Sequence, residues 1–463
     1  MSSPPPLAGG TRGPDALRPL LTTVLDALHD GATRRAGPLP AGGPATVAAR
    51  LRDQAGTLLP AQGTGADTAL RTLVTALTEG AADPADPLCA AHLHCPPLAV
   101  ATAADLAASA LNPSMDSWDQ APAASALEDL VTTTLAREIY GDPRPPADAL
   151  VTTGGTEANQ LAVLLARETT PGPGPLHLLV GTNAHHSLAR ATWLYGLPDP
   201  VTVPAPTGTL DPAALDAALS DLPGAKLVAA TAGTTDAGLI DPLPEIADVC
   251  ERHGARLHID AAYGAGLLFS ARHRRLLDGL ARAHTVTLDL HKLGWQPVAA
   301  GLLALRDTTD TAALTYQADY LNADDDTEAG LPDLLGRSLR TTRRPDILKI
   351  AVTLKALGRT GLGALTDQVI ALAHHLARLV DDHPALELYD TPTLSTVLFR
   401  PRGAPPETLA AIRRALLTEG RAVLGRARTD DGGLWLKATL LNPHTDPGDL
   451  AALLKLVEGH TPR

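Results

Sequence analysis

The sequence predicts an α/β fold with a parallel sheet, because two strand-like runs each end in polar side chains. The run 255–260 ends at Asp260, and the run 285–290 is followed by His291 and Lys292. The interval between the two runs leaves room for one helix and a return strand. Ligands bind at the carboxyl ends of the strands of a parallel sheet, so we expect Asp260 and Lys292 to face one crevice.

Lys292 is the candidate for covalent chemistry. The chain contains only six lysines, and Lys292 alone follows such an apolar run directly after a histidine. A lysine at a strand tip can form a Schiff base, and a facing carboxylate can keep a pyridine nitrogen protonated. Lys292 and Asp260 together therefore indicate pyridoxal 5′-phosphate as the cofactor.

The amino-terminal part of the chain predicts helices. Residues 1–14 are rich in proline and glycine and have neither an apolar core nor a cleavage signature, so we expect a disordered start that is not a signal peptide. Between 15 and 85, apolar residues recur at spacings of three and four, which is typical of two or three amphipathic helices. Such helices need a partner surface for their apolar faces.

A glycine turn marks a candidate anion site in the predicted large domain, 86–346. Strand-like residues 149–152 lead into Gly154 and Gly155, and a helical run follows from Thr156. Glycine lets the backbone approach a phosphate, and the free N–H groups of a helix start can bind it. The alternative is an ordinary helix cap. The sequence has neither the dinucleotide-binding nor the P-loop motif.

Two further segments follow apolar runs and are expected at the same edge of the sheet. One contains His185 and His186, and the other contains Thr234 and Thr235. A neutral imidazole at His185 could stack on a planar cofactor, although the two histidines could equally be polar residues that open a helix. The two threonines could instead simply be polar residues of a turn.

The carboxyl-terminal segment, 347–463, predicts a small α+β domain. It combines a helical run through Val380, strand-like residues at 395–399 and 434–440, and a helix near 408–418.

Composition excludes several classes of function. The net charge of −13 argues against nucleic acid or an anionic membrane as a partner. No apolar run approaches the length of about 18 residues that a membrane helix needs. Three cysteines without a paired motif fit a reducing cytoplasm. His92, His94 and Cys95 lack a second ligand pair at zinc-site spacing, so we expect no metal.

These motifs, in this order, resemble the group II pyridoxal-phosphate-dependent amino acid decarboxylases. The resemblance extends from about 92 to about 443 and rests on Gly-Gly-Thr-Glu-Ala-Asn at 154–159, Ala-His-His-Ser at 184–187, Gly-Thr-Thr at 233–235, Asp-Ala-Ala-Tyr at 260–263 and His-Lys at 291–292. It implies a fold type I, aminotransferase-like protein with a mostly parallel seven-stranded sheet, a helical amino-terminal segment and a small carboxyl-terminal α+β domain. It also implies a homodimer with its active site at the interface.

The resemblance assigns roles to individual residues. Lys292 would hold the cofactor, Asp260 would pair with the pyridine nitrogen, and His185 and Ala262 would cover opposite faces of the ring. Thr235 would support the Asp260 region. The phosphate would be bound by Gly155, Thr156 and His291. Asp289 departs from the pattern, because the aromatic enzymes keep an asparagine there and a carboxylate repels a dianion.

A polar loop at 317–328 resembles the catalytic loop of the family. Tyr320 lies where the family keeps the tyrosine that protonates Cα after carbon dioxide leaves. Members with phenylalanine at that place tend to form aldehydes by oxidative deamination. With both Tyr320 and His185 present, the resemblance implies decarboxylation to an amine. An oxidative aldehyde-forming enzyme and a non-catalytic cofactor-binding relative are the alternatives.

The substrate is the least determined feature of the sequence. The segment 111–122 is similar to the corresponding part of bacterial diaminobutyrate decarboxylases, and its Asp116 and Asp119 could bind a distal ammonium, within one chain or across the dimer interface. Trp118 would line the same site. The alternative is a loop in which Trp118 is a hydrophobic anchor. The resemblance favours a diamino acid such as 2,4-diaminobutyrate, ornithine or lysine, and leaves an aromatic amino acid open.

Overall fold

A seven-stranded sheet forms the centre of the molecule in the computed structural model, which describes residues 4–170, 174–316, 318, 321, 323–429 and 432–461. The strands are β1 (Asp148–Thr152), β2 (His177–Gly181), β3 (Val201–Val203), β4 (Lys226–Thr231), β5 (Arg256–Ala261), β6 (Thr285–Asp289) and β7 (Gly301–Leu305). Their order is β1-β7-β6-β5-β4-β2-β3, and only β7 runs antiparallel to its neighbours. The predicted mostly parallel sheet is confirmed.

Helices cover both faces of this sheet, which explains why its central strands read as continuous apolar runs. All five residues of β1, β6 and β7 are buried. The helices are α1 (Gly13–Arg35), α2 (Gly43–Ala55), α3 (Ala66–Glu79), α4 (Ala99–Leu111), α5 (Pro122–Tyr140), α6 (Gly155–Thr169), α7 (Ser187–Leu194), α8 (Pro212–Ser220), α9 (Leu243–Arg252), α10 (Asp324–Glu328), α11 (Ile347–Asp381), α12 (Pro406–Glu419) and α13 (Pro447–Gly459).

The connection between β5 and β6 differs from the expected helix. Three short 3-10 helices occupy it, at Gly264–Phe269, Arg274–Leu277 and Leu280–Arg282. The first packs so closely on the strand ends that a Cβ at Gly264 would lie 2.4 Å from the carbonyl oxygen of Ala232. A regular α-helix with side chains has no room at that separation, so glycines and tight turns replace it.

Two smaller units flank the sheet. At the amino terminus, α1 packs on α3, and α1 begins inside the segment 1–14 that we expected to be disordered. At the carboxyl terminus, a four-stranded antiparallel sheet has the order β10-β11-β9-β8. Its strands are β8 (Leu386–Leu388), β9 (Thr396–Pro401), β10 (Gly425–Arg428) and β11 (Leu434–Thr439). The strands predicted near 395–399 and 434–440 are β9 and β11. The proposed domain boundaries stay a prediction.

The long helix α11 links the central sheet to this carboxyl-terminal sheet. It is interrupted at Gly358, whose φ of 61° lies in the left-handed region that favours glycine. The first part of α11 contributes Ile347 and Ile350 to the main core, and the second part contributes Leu376 and Val380 to the core of the small sheet.

A buried ion pair joins α5 to the segment before α11. The guanidinium nitrogens Nη1 and Nη2 of Arg343 each lie 3.0 Å from a carboxylate oxygen of Glu128, and both side chains are at most 5% exposed. Removing one partner leaves an uncompensated buried charge. We therefore expect Glu128→Ala to lower the free energy of unfolding by about 3–5 kcal/mol.

Chemical denaturation monitored by circular dichroism measures this loss. Asp129→Ala is the matched control, since Asp129 is the next residue of α5 and is exposed; its effect should stay within about 0.5 kcal/mol. Equal effects of the two substitutions would contradict a structural role for the buried pair.

Within the described residues, no helix is both long and apolar enough to cross a membrane.

Candidate active site

A cavity of about 430 Å³ opens at the carboxyl ends of the parallel strands, where binding sites are expected in this architecture. It gathers residues from segments far apart in the chain. Its lining comprises His92, Leu93, Thr153, Gly154, Gly155, Thr156, Glu157, Asn159, His185, Thr231, Gly233, Thr235, Asp260, Ala262, Tyr263, Asp289, His291, Lys292 and Lys437. All the predicted cofactor-binding residues are in this set.

Lys292 reaches the cavity from the turn that follows β6. Its side chain is 18% exposed, and Nζ lies 3.0 Å from Oδ2 of Asp289. The turn is held in place because Trp295 is fully buried and its indole N–H donates to the carbonyl oxygen of Leu441 at 2.8 Å. The side chain is thus fixed at its base, and its amine lies in the cavity beside the carboxylate of Asp289.

Asp260 lies at the end of β5, the strand next to β6. It is 5% exposed, and its Oδ1 accepts a hydrogen bond from the backbone N–H of Ala262 at 3.0 Å. Its Oδ2 accepts from the amide Nδ2 of Asn159 at 2.7 Å. These two donors leave the carboxylate oriented toward the cavity, as the adjacent strand ends predict.

Asn159 organises the polar groups behind Asp260. Its amide nitrogen also donates to Oγ of Ser187 at 2.9 Å. Its Oδ1 accepts from the hydroxyl of Thr287 at 2.7 Å and lies 3.0 Å from Nε2 of His258. Burial lowers the pKa of His258 to about 4, so this ring is neutral and donates from Nε2. Asn159 belongs to the motif at 154–159, but the sequence predicts no role for it.

His185 lies just before α7 and lines the cavity. Its Nδ1 is 2.8 Å from the hydroxyl of Ser187, which fixes the ring and connects it to the network around Asn159. Burial lowers the pKa of His185, although the nearby Asp260 carboxylate acts in the opposite direction. A neutral imidazole therefore faces the cavity, while Ala262 lines another part of its wall.

The glycine turn between β1 and α6 forms a close-fitting cradle. A Cβ at Gly154 would lie 3.0 Å from Cε1 of His291, and a Cβ at Gly155 would lie 3.1 Å from the Cβ of Ala262. The free N–H groups at the start of α6 open into the cavity beside Thr156. Burial lowers the pKa of His291, so it too presents a neutral ring.

Two basic residues lie in the cavity although the sequence predicts no place for them in the cofactor site. Lys437 comes from β11, and its Nζ donates to the carbonyl oxygen of Thr235 at 3.0 Å and lies 3.7 Å from Oδ1 of Asp236. Burial lowers the pKa of Lys437. His92 lies in the same cavity, and burial lowers its pKa as well. Nothing in the local pattern of either segment distinguishes these residues, because the small sheet brings Lys437 to the cavity through tertiary packing.

Three predicted substrate residues do not line the described cavity. Asp116 is buried and accepts a hydrogen bond from the amide of Gln120 at 2.8 Å. Asp119 accepts from the hydroxyl of Ser117, and Trp118 is 39% exposed. These three residues do not line the cavity formed by the described part of one chain, so a role across a dimer interface stays a prediction. Tyr320 lies outside the described residues.

The residues in the cavity fit pyridoxal 5′-phosphate. A glycine cradle that side chains would fill suits the phosphate, a buried carboxylate suits the pyridine nitrogen, and a lysine amine at the cavity suits the aldehyde. Asp260 and Lys292 lie at the ends of paired strands, which brings the last two groups to one ligand. Asp289 beside the cradle is the exception in this donor set.

Comparisons with known proteins agree with this chemistry. Residues 66–402 match the family model described as the pyridoxal-dependent decarboxylase conserved domain. The L-2,4-diaminobutyrate decarboxylase of Rhizobium meliloti (strain 1021) is 40% identical over 421 residues, which cover 88% of this chain and 84% of that protein. The enzyme of the same name from Acinetobacter baumannii is 33% identical and covers 79% and 78% of the two chains.

A solved structure shows the same fold. The glutamate decarboxylase domain of the diaminobutyrate-pyruvate transaminase and L-2,4-diaminobutyrate decarboxylase from Vibrio parahaemolyticus superimposes with a TM-score of 0.86 at 29% identity, covering 98% of this chain and 97% of that one. The resemblance read from the motifs is thereby confirmed. The chain belongs to the pyridoxal-dependent decarboxylases and is a pyridoxal-phosphate-dependent amino acid carboxy-lyase.

Proposed function

We propose that this enzyme removes the α-carboxyl group of L-2,4-diaminobutyrate and releases 1,3-diaminopropane and carbon dioxide. The reaction type is supported by one observation: a single cavity is lined by Lys292, Asp260 and the glycine cradle. The choice of substrate is supported by the two diaminobutyrate decarboxylases that are 40% and 33% identical to this chain over the aligned residues.

In this proposal each residue of the site has a separate task. Asp260 would keep a proton on the pyridine nitrogen, and the amide of Asn159 holds the carboxylate in position for that task. His185 would cover one face of the ring, and its hydrogen bond with Ser187 fixes the imidazole plane. Lys292 would supply the amine that holds the cofactor. When bound, the cofactor supplies a ring that accepts electrons from the bond that breaks.

Burial of the site assists the departure of the carboxylate. Asp260 and Asp289 are at most 5% exposed, so the ends of β5 and β6 are largely shielded from solvent. A substrate carboxylate that loses its hydration there is favoured to leave as neutral carbon dioxide.

We expect Tyr320→Phe to shift the product from amine to aldehyde. In the proposed role the phenol O–H protonates Cα after carbon dioxide leaves, and phenylalanine has no proton to give. Without that proton, dioxygen and water would oxidise and hydrolyse the substrate at Cα, which yields aldehyde, ammonia and hydrogen peroxide. Chromatography of the products together with a peroxide assay measures the ratio.

Tyr316→Phe is the matched control, because Tyr316 lies four residues earlier and is 73% exposed. It should leave amine as the product. If Tyr320→Phe still forms only amine, the role given to Tyr320 is wrong.

The proposal includes a homodimer in the cytoplasm. Exposed leucines on the amino-terminal helices support a subunit contact, since Leu25, Leu28, Leu73 and Leu77 are between 42% and 66% exposed. The free thiols of Cys89, Cys95 and Cys250 support a reducing compartment. Light scattering coupled to size-exclusion chromatography tests the subunit count.

A substrate panel tests the proposed function. Purified enzyme loaded with cofactor is offered diamino, aromatic and acidic L-amino acids, while amine, carbon dioxide and peroxide are measured together. We expect L-2,4-diaminobutyrate to have the highest kcat/KM, with amine and carbon dioxide in equal amounts. Preference for an aromatic or acidic amino acid would overturn the substrate assignment, and aldehyde with peroxide would identify the oxidative enzyme instead.

A further inference from the structure

Asp289 is a buried acid whose position the decarboxylation chemistry does not explain. It ends β6 and its side chain is 3% exposed. Its Oδ2 lies 3.0 Å from Nζ of Lys292 and 3.5 Å from Nε2 of His291. Its Oδ1 is buried without a hydrogen-bond partner in the described part of the chain. An unsatisfied buried oxygen of this kind calls for a ligand or a proton.

The carboxyl group of Asp289 faces the glycine cradle. A Cβ at Gly155 would lie 3.1 Å from Oδ2, and a Cβ at Gly154 would lie 3.7 Å from Oδ1. The free N–H groups of α6 open into the same space. A phosphate bound by those N–H groups therefore lies beside the carboxyl group, with Oδ1 as the oxygen that has no other partner.

Two anions in contact at a buried site repel each other strongly. Lys292 offsets only the charge of Asp289, so a phosphate dianion bound beside this pair adds negative charge that the lysine does not balance. Burial lowers the pKa of both His291 and His185, so neither ring supplies a further positive charge. The carboxylate of Asp260 adds negative charge on the other side.

The remaining charged groups around the cradle do not change this balance. Glu157 lines the cavity, and its Oε1 is bound by Nε of Arg340 at 3.0 Å, so these two charges offset each other. Lys349 acts on His291 only from a distance, because its Nζ is held by Asp105 and Asp346 at 3.1 and 3.2 Å. Lys437 is held at the carbonyl oxygen of Thr235.

We propose that Asp289 takes up a proton from solvent when the cofactor phosphate binds, and that Oδ1 then donates this hydrogen to a phosphate oxygen. Asp289 thereby becomes a direct phosphate ligand and makes retention of the cofactor depend on pH. The bound state holds one more proton than the free state, so the affinity is highest at low pH. It falls by up to tenfold for each unit of pH through the range in which binding takes up that proton.

The test measures binding without any turnover, so that its failure is separate from a failure of the proposed substrate. The full-length chain, freed of cofactor, is titrated with pyridoxine 5′-phosphate, which has the phosphate but no aldehyde for Lys292. Pyridoxine, which lacks the phosphate, is the paired probe. Calorimetry in buffers of different ionisation enthalpy gives the affinity and the number of protons taken up.

The wild-type chain should take up close to one more proton with pyridoxine 5′-phosphate than with pyridoxine at about pH 8, where the free phosphate is a dianion. Asp289→Asn should remove this difference and bind pyridoxine 5′-phosphate at least about tenfold more tightly, because a neutral amide donates without first binding a proton. Its affinity for pyridoxine should stay unchanged. Asp248→Asn, on the surface helix α9, controls for the loss of one negative charge elsewhere and should match the wild type in all three measurements.

Equal proton uptake by the wild-type chain with the two probes would overturn the proposal even if the Asp289→Asn variant did not fold. Unchanged or weaker binding of pyridoxine 5′-phosphate by a folded Asp289→Asn variant would overturn it as well.

Discussion

Lys292→Ala is expected to abolish decarboxylation, with a fall in kcat on the order of 10⁴-fold or more. The amine of Lys292 lies in the cavity with Asp260, and the buried turn around Trp295 fixes the base of its side chain. Alanine removes the amine that, in the proposed role, holds the cofactor and later gives way to the amine of the substrate. The variant should also lose the visible absorbance that a covalently held cofactor gives the wild-type enzyme.

Steady-state assays and absorbance spectra of the purified variant measure both losses. Lys355→Ala is the matched control, since Lys355 is an exposed residue of α11, and it should keep activity and spectrum. A small primary amine added to the Lys292→Ala enzyme should restore part of the rate, because it replaces the missing nitrogen. Turnover at the wild-type rate without such an amine would remove Lys292 from its assigned role.

The parts of the site that the sequence predicts are those carried by short local patterns. Asp260 and Lys292 each follow an apolar run, so their location at strand ends follows from periodicity and from the geometry of a parallel sheet. The turn at Gly154 and Gly155 is similarly local, because strand, glycines and helix are contiguous. The close approach of His291 to this turn shows why glycine is needed there.

The parts that the sequence does not predict depend on partners distant in the chain. Asn159 lies within a recognised motif, but its link to Asp260 depends on how α6 packs against β5. Lys437 comes from β11 of the small sheet, and its sequence pattern does not distinguish it from other polar residues in strands. The 3-10 connection after β5 was missed for the same reason, since the contact of Gly264 with Ala232 is a tertiary one.

Asp289 illustrates a different limit. The sequence places a carboxylate where the family resemblance implies a phosphate contact, and the structure shows that this carboxylate is buried against the cradle beside Lys292. The sequence alone indicates that the Asp289 carboxylate and a phosphate would repel each other. The structure adds that Oδ1 of Asp289 has no hydrogen-bond partner among the described residues, so we expect measurable proton uptake when a phosphate binds.

Asp260→Asn is expected to lower kcat on the order of 10³-fold while the cofactor stays bound. A neutral amide of nearly the same shape cannot keep a proton on the pyridine nitrogen, so the ring accepts electrons less readily. The phosphate cradle and Lys292 are untouched by this change, and the visible absorbance should persist. Loss of rate with retained absorbance distinguishes the electronic role of Asp260 from a role in holding the cofactor.

Asn159 provides the sharper test of this assignment, because it reaches the chemistry only through Asp260. Asn159→Ala removes the donor to Oδ2 and should lower kcat by about 10–100-fold, since a single hydrogen bond to a buried carboxylate contributes about 1.5–3 kcal/mol. In the Asp260→Asn background the same substitution should have much less effect, because the carboxylate it positions is already gone. The four variants of this cycle are compared by kcat under saturating cofactor. Independent losses that multiply in the double variant would show that Asn159 acts elsewhere, for example by supporting His258 or Ser187.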